Sequence, residues 1–333
     1  MFVTRFSFSI CIFIYVVVSA IPLKAQTILS IPQKKQYALE LLKKYDLEGW
    51  YVVNKVTRLS INNNFDRYAE ENTRKSVRES LGTVVHEVNH GYSALMAWRL
   101  RYKERDQYSC YYTGDSTYVL VKHTPVFLTE EIGKSIRPEL HTFRFDTYIY
   151  NPNEKIKITS NTQGIYGLLD EWNSYYHGTK TDVNLYKWYE ENTKGAPEDW
   201  RNYFSTVGSV VNAYIEFKFY CLAYLLYAKE NKPDVYQGII NNKEFVSVFL
   251  TVNDRYGDLV DKYLQIKKDI LKKLQSKGAK VSEDEEWIFI NGEGTGNFVN
   301  EYKVLQKEIN MPAYQEMLAN LQLIAQSEEK ERR

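Results

Sequence analysis

The stretch Val84-Val85-His86-Glu87-Val88-Asn89-His90 decides how this chain is read. On an α-helix, residues four apart share a face, so His86 and His90 present two imidazoles to one point in space. That is the pair of ligands a zinc ion takes from one helix, and Glu87 stands beside the coordination position left for a water. Leu81, Val84, Val85, Val88, Tyr92, Leu95 and Met96 recur around the motif at helical spacing, and no proline interrupts residues 72–102. A long helix is predicted there. The chain has only five histidines, and two of them flank a glutamate at ligand spacing. The plainer alternative is a pair of partly exposed histidines on an amphipathic helix.

A catalytic zinc needs a third protein ligand. Downstream, Leu168-Leu169-Asp170-Glu171-Trp172-Asn173-Ser174-Tyr175-Tyr176-His177 places two carboxylates inside an apolar run. A carboxylate among apolar neighbours requires a cation, because an unpaired buried charge is costly. Glu171 is the first choice; Asp170, His177, His123 and His141 are the alternatives.

The motif followed by a helix-borne glutamate resembles the gluzincin group of zinc metallopeptidases, which includes thermolysin-like enzymes and zinc aminopeptidases. The segment Leu169–Tyr175 is similar to the aminopeptidase pattern of glutamate ligand, small residue and tyrosine. The similarity is confined to these two segments, and the interval from His90 to Glu171 is far longer than those families use, so an insertion separates the two helices. The resemblance implies Zn2+ held by His86, His90 and Glu171, Glu87 as general base, and a tyrosine or histidine steadying the oxyanion. Tyr166, Tyr175 and His177 lie close enough to the third ligand in sequence to be named for that role or for substrate contact.

Outward from the motif, the period changes. Tyr108–Tyr112 and Ser116–Lys122 alternate around Thr113-Gly114-Asp115, a hairpin signal. Thr129-Glu130-Glu131-Ile132 opens a short helix, and His141–Ile149 reads as a further strand. In gluzincin-like folds an edge strand beside the metal pairs with extended substrate; this β element either does so or is a plain structural sheet. Before the motif, a helix is predicted from Gln33 to Tyr45, a short strand at Trp50–Val53 and a turn at Asn62–Phe65. After His177 the pattern is helical: Lys180–Asn192, Asp199–Glu230, Asp254–Ser276 and Tyr302–Ile324. The run Trp287–Gly296 matches neither nucleotide-binding glycine fingerprint and reads as a loop.

Arg5 precedes an apolar run from Phe6 to Ala20, and a small residue, Ala25, follows. This pattern is that of a secretory signal peptide, and the run is short for a membrane span. Without residues 1–25 the net charge is about −1, which argues against a nucleic-acid partner or an anionic membrane surface. Cys110 and Cys221 then remain, either paired or as two buried thiols.

The expected fold is α+β and mostly helical. It has a signal peptide at 1–25, a metal-binding lobe at 26–178 built as a zincin-like two-helix core with a small β insertion, and a helical lobe at 179–333. The expected function is that of an exported zinc metallopeptidase, periplasmic or extracellular, acting on peptide or protein without stable membrane insertion. The alternatives are a non-catalytic binding or scaffold protein with a vestigial motif, and a zinc amidase acting on cell-wall material.

Overall fold

A computed structural model describes residues 28–58, 65–69, 72–153, 157–297 and 299–332. The expected leader and residues 62–64 of the expected turn lie outside the described residues, and Phe65, its last residue, is helical. Among the described residues no helix is long and apolar enough to cross a membrane.

The chain is a mostly helical α+β fold with small antiparallel sheets. It opens with α1 (Ile31–Tyr45), α2 (Leu47–Arg58), α3 (Phe65–Tyr68), α4 (Arg74–Glu79) and the motif helix α5 (Leu81–Leu100). The hairpin β1 (Tyr108–Gly114) and β2 (Thr117–Lys122) follows, then the short helices α6 (Glu130–Gly133), α7 (Phe145–Tyr148) and α8 (Thr159–Thr162). Next come α9 (Ile165–Asn184), α10 (Tyr186–Asn192), α11 (Pro197–Val211), α12 (Ala213–Asn231), α13 (Pro233–Ile240) and α14 (Lys243–Ser276). A three-stranded meander of β3 (Val281–Glu283), β4 (Trp287–Ile290) and β5 (Glu293–Gly296) precedes α15 (Val299–Ile309) and α16 (Pro312–Arg332).

Five expectations are corrected. The single helix expected from Lys180 to Asn192 breaks at Leu185, between the end of α9 and α10. Trp50–Val53 is helical, not extended: α2 buries Val52, Val53 and Val56 on one side, a helical spacing that outweighs the β-preference of its residues. His141–Ile149 is a loop running into α7 rather than a strand. The segment expected from Asp199 to Glu230 breaks at Asn212 into α11 and α12. Trp287–Gly296 is not a loop but β4 and β5, joined by Asn291-Gly292. Both turn residues have positive φ, 55° and 86°, as the two-residue hairpin turn that matches strand twist requires.

The central element is α9, buried nearly all round, which is the signature of a core helix. It packs on α5 on one side and on α11, α12 and α14 on the other. Two buried apolar clusters meet along it. The smaller gathers residues of α1, α2 and α5 with Tyr112 and Leu185; the larger gathers α9, α11, α12, α14 and the inner face of the hairpin. The division expected at 178/179 therefore falls within one continuous helix.

The helices α5 and α9 are brought together by glycine. A Cβ on Gly178 would lie 2.7 Å from the Gly82 carbonyl oxygen, and one on Gly82 would lie 2.1 Å from Asp182 Oδ2. One helical turn along from this contact, and two turns along, lie His86 and His90 on α5 and Ser174 and Asp170 on α9. The antiparallel crossing thus sets the motif opposite the carboxylates.

Candidate metal centre

His86 and His90 face Glu171 across the α5–α9 interface. The Nε2 atoms of the two histidines are 3.2 Å apart. Glu171 Oε2 lies 3.6 Å from His86 Nε2 and 3.4 Å from His90 Nε2. Ligand bonds of about 2.0–2.2 Å to a tetrahedral zinc separate neighbouring ligand atoms by about 3.3–3.5 Å. All three separations fall at or close to that spacing. Glu171 Oε2 is buried and makes no hydrogen bond of good geometry; the groups nearest to it are the two imidazoles. These three residues form the group of potential ligands that converges among the described residues, and their donor set fits zinc.

A second layer fixes their orientation. Asp170 Oδ2 is 2.6 Å from His90 Nδ1, so the ring turns its Nε2 inward, the arrangement by which carboxylates orient metal-binding histidines. Ser174 Oγ is 3.3 Å from the same Nδ1 and accepts from Asn89 Nδ2 at 2.9 Å. Behind His86 stands the Tyr175 ring, centroids 4.4 Å apart, with the Arg144 guanidinium 4.6 Å from the centre of that ring. Arg144 is buried, donates to Glu216 Oε2 at 2.6 Å and to the Ser209 carbonyl at 2.8 Å. The Tyr175 hydroxyl lies 3.2 Å from that of Tyr148.

The electrostatics follow from this crowding. Burial, with the charges of His90 and Arg144, pushes His86 well below the usual imidazole range. Burial opposes the charged form of His90 too, but the Asp170 and Glu171 carboxylates outweigh it and hold His90 well above that range. Glu87 is held above its ordinary value by burial, although His90 and a hydrogen bond with Tyr68 pull it down. It lines a cleft of about 900 Å³ together with His90, Asp170 and Glu171.

The remaining candidates sit elsewhere. The Tyr166 hydroxyl is engaged by the Thr124 amide at 3.0 Å and by Asn242 Nδ2 at 3.2 Å. His177 Nε2 donates to the Tyr112 carbonyl at 2.9 Å, and burial pushes the ring down to about 4. His123 bonds Ser109 Oγ at 2.7 Å, and His141 bonds the Ile136 carbonyl at 3.1 Å while stacking on Phe145. Of the three side chains named for the oxyanion, Tyr175 alone packs on one of the ligand histidines. The hairpin packs against α5 and walls the cleft with Tyr108, Ser109 and Cys110. The Tyr112 carbonyl of β1 is taken by His177. Cys110 and Cys221 are free and buried.

Arg144, Tyr148 and Glu216 were not among the residues expected at the site. Glu216 carries the signal that exposed Glu171: a lone carboxylate in an apolar run, Tyr214-Ile215-Glu216-Phe217.

No protein-family model matches this sequence, and comparison with curated proteins and with solved structures yields no match. The gluzincin resemblance rests on the two sequence segments alone.

Proposed function

We propose that this protein is an exported zinc metallopeptidase with a zincin-like two-helix core. The observation that carries the reading is the convergence of His86 Nε2, His90 Nε2 and Glu171 Oε2 at tetrahedral spacing, with Glu87 in the wall of the same cleft. The chemistry zinc supplies when bound in such a set is Lewis-acid polarisation of a water and of the scissile carbonyl. Glu87 takes a proton from the attacking water as the C–O bond forms and delivers it to the amine nitrogen as the C–N bond breaks. Asp170 holds His90 in the ligating tautomer. Tyr175, packed on His86 and paired with Tyr148, lies behind the ligand and outside the cleft wall, so its role in this reading is to position His86.

The test is zinc content by elemental analysis together with peptide hydrolysis. The expected result is about one zinc per chain in the wild type and loss of tight retention in Glu171→Ala. Glu87→Gln is expected to keep its zinc and lose about 10²–10⁴-fold in turnover. A chain that takes up no zinc even on supplementation would return the reading to a non-catalytic binding protein. Turnover retained in Glu87→Gln would remove the mechanism.

A further inference from the structure

The cleft is one-sided. On α5 its wall begins at Glu87 and continues through His90 to Trp98; on α9 it begins at Glu171 and runs back through Asp170 to Gly167. No lining residue comes from α5 before Glu87 or from α9 after Glu171, because there the helices close on each other at Gly82 and Gly178. The ligand group stands at the closed end, so a bound chain runs away from it toward the C-terminal end of α5.

Between His90 and Trp98 the channel is lined by small side chains, Ser93, Ala94, Ala97 and Gly167. Nothing bulky on the helix face obstructs an extended backbone there. The channel then meets Trp98, which is 41% exposed and packs edge-on at 5.5 Å against Tyr102, 65% exposed. Trp98 ends the small-lined channel and Tyr102, outside the cleft wall, packs against it, so the two leave an apolar surface in water there. From His90 to Trp98 the helix rises about 12 Å, which an extended peptide spans in roughly four residues.

We infer that Trp98 and Tyr102 form a distal subsite for an apolar or aromatic side chain about four residues from the hydrolysed bond, so that the substrate is an unfolded peptide segment reaching that far rather than a dipeptide. The inference rests on the peptidase reading.

The experiment is digestion of a proteome-derived peptide library by the zinc-loaded protein, by Trp98→Ala and by Glu87→Gln, with cleaved bonds mapped by mass spectrometry. The wild type is expected to enrich Phe, Tyr, Trp or Leu at one position about three to five residues from the bond, on one side of it. Trp98→Ala loses that enrichment and keeps the preferences flanking the bond. For a peptide with Phe at that position the variant loses about tenfold in kcat/KM, carried by KM, and less than about twofold when Ala stands there. Enrichment confined to the flanking positions, or surviving Trp98→Ala, overturns the subsite. Absence of Glu87-dependent cleavage is a failure of the peptidase reading instead. The subsite is then decided by calorimetry of Phe- and Ala-bearing versions of one peptide: equal affinity for the wild type overturns it.

Discussion

The two ends of the α5–α9 crossing bury carboxylates in opposite ways. At one end Glu171 and Asp170 face His86 and His90. At the other end Asp182 is buried against Gly82, and Asp46 accepts from Thr181 Oγ1 at 2.5 Å. No imidazole compensates there. Burial pushes Asp182 well above its ordinary range although the Gly82 amide at the start of α5 pulls it down, and burial raises Asp46 as well. The first end sets its charge against two imidazoles; the second favours the neutral acid. What separates the candidate site from the two buried acids, Asp182 on α9 and Asp46 between α1 and α2, is two imidazoles, not burial.

The contrast can be broken most sharply by removing the metal. Zinc at a hundred times its dissociation constant stabilises the folded state by about 2.7 kcal/mol. A chelator is therefore expected to lower the unfolding temperature of the wild type and of Asp182→Asn, and to leave His90→Ala unmoved in calorimetry. Next in size is the glycine contact. Gly82→Ala places a methyl group 2.1 Å from Asp182 Oδ2, an overpacking expected to cost about 2 kcal/mol in denaturant unfolding. It should also weaken zinc binding, since His86 rides on the same helix; unchanged stability would mean the crossing is not set by this contact. Asp170→Asn, which keeps the shape but not the charge on His90 Nδ1, is expected to weaken zinc affinity about 10–100-fold by competition titration.

The smallest effect lies at the acid end. Asp182 has a raised folded pKa, so between its unfolded and folded values the native state binds the extra proton. Its contribution is then lost as pH rises through that window, by at most about 1.4 kcal/mol per pH unit. With chelator present to silence the metal end, stability of the wild type should gain on acidification from neutral pH relative to Asp182→Asn. Parallel pH profiles for the two would remove the neutral-acid account.

How much of this was legible in the sequence depends on the range over which each signal acts. His86 and His90 were found because four-residue spacing is a property of one helix. Glu171 was found because a charge in an apolar run demands a partner. The same demand points from Glu216 to a cation, but which cation is a tertiary fact: Arg144 lies in an irregular segment that alternation made look like a strand. Trp50–Val53 favours extended structure locally while its burial in α2 is helical. The β4–β5 hairpin was missable only by giving its glycines more weight than Asn291-Gly292, a strong two-residue turn signal. Trp98, by contrast, cannot be separated from a core aromatic until its exposure and the cleft beside it are known.

The stack that runs Glu216, Arg144, Tyr175, His86 has a consequence for biosynthesis. The orientation of a residue near the start of the chain is inherited from one on α12, well past the middle. A nascent chain that has released the motif and even Glu171 holds the ligands but lacks the clamp. By this order the centre takes its final shape only after α12 has emerged and docked on α9, so its assembly comes late in the making of the molecule.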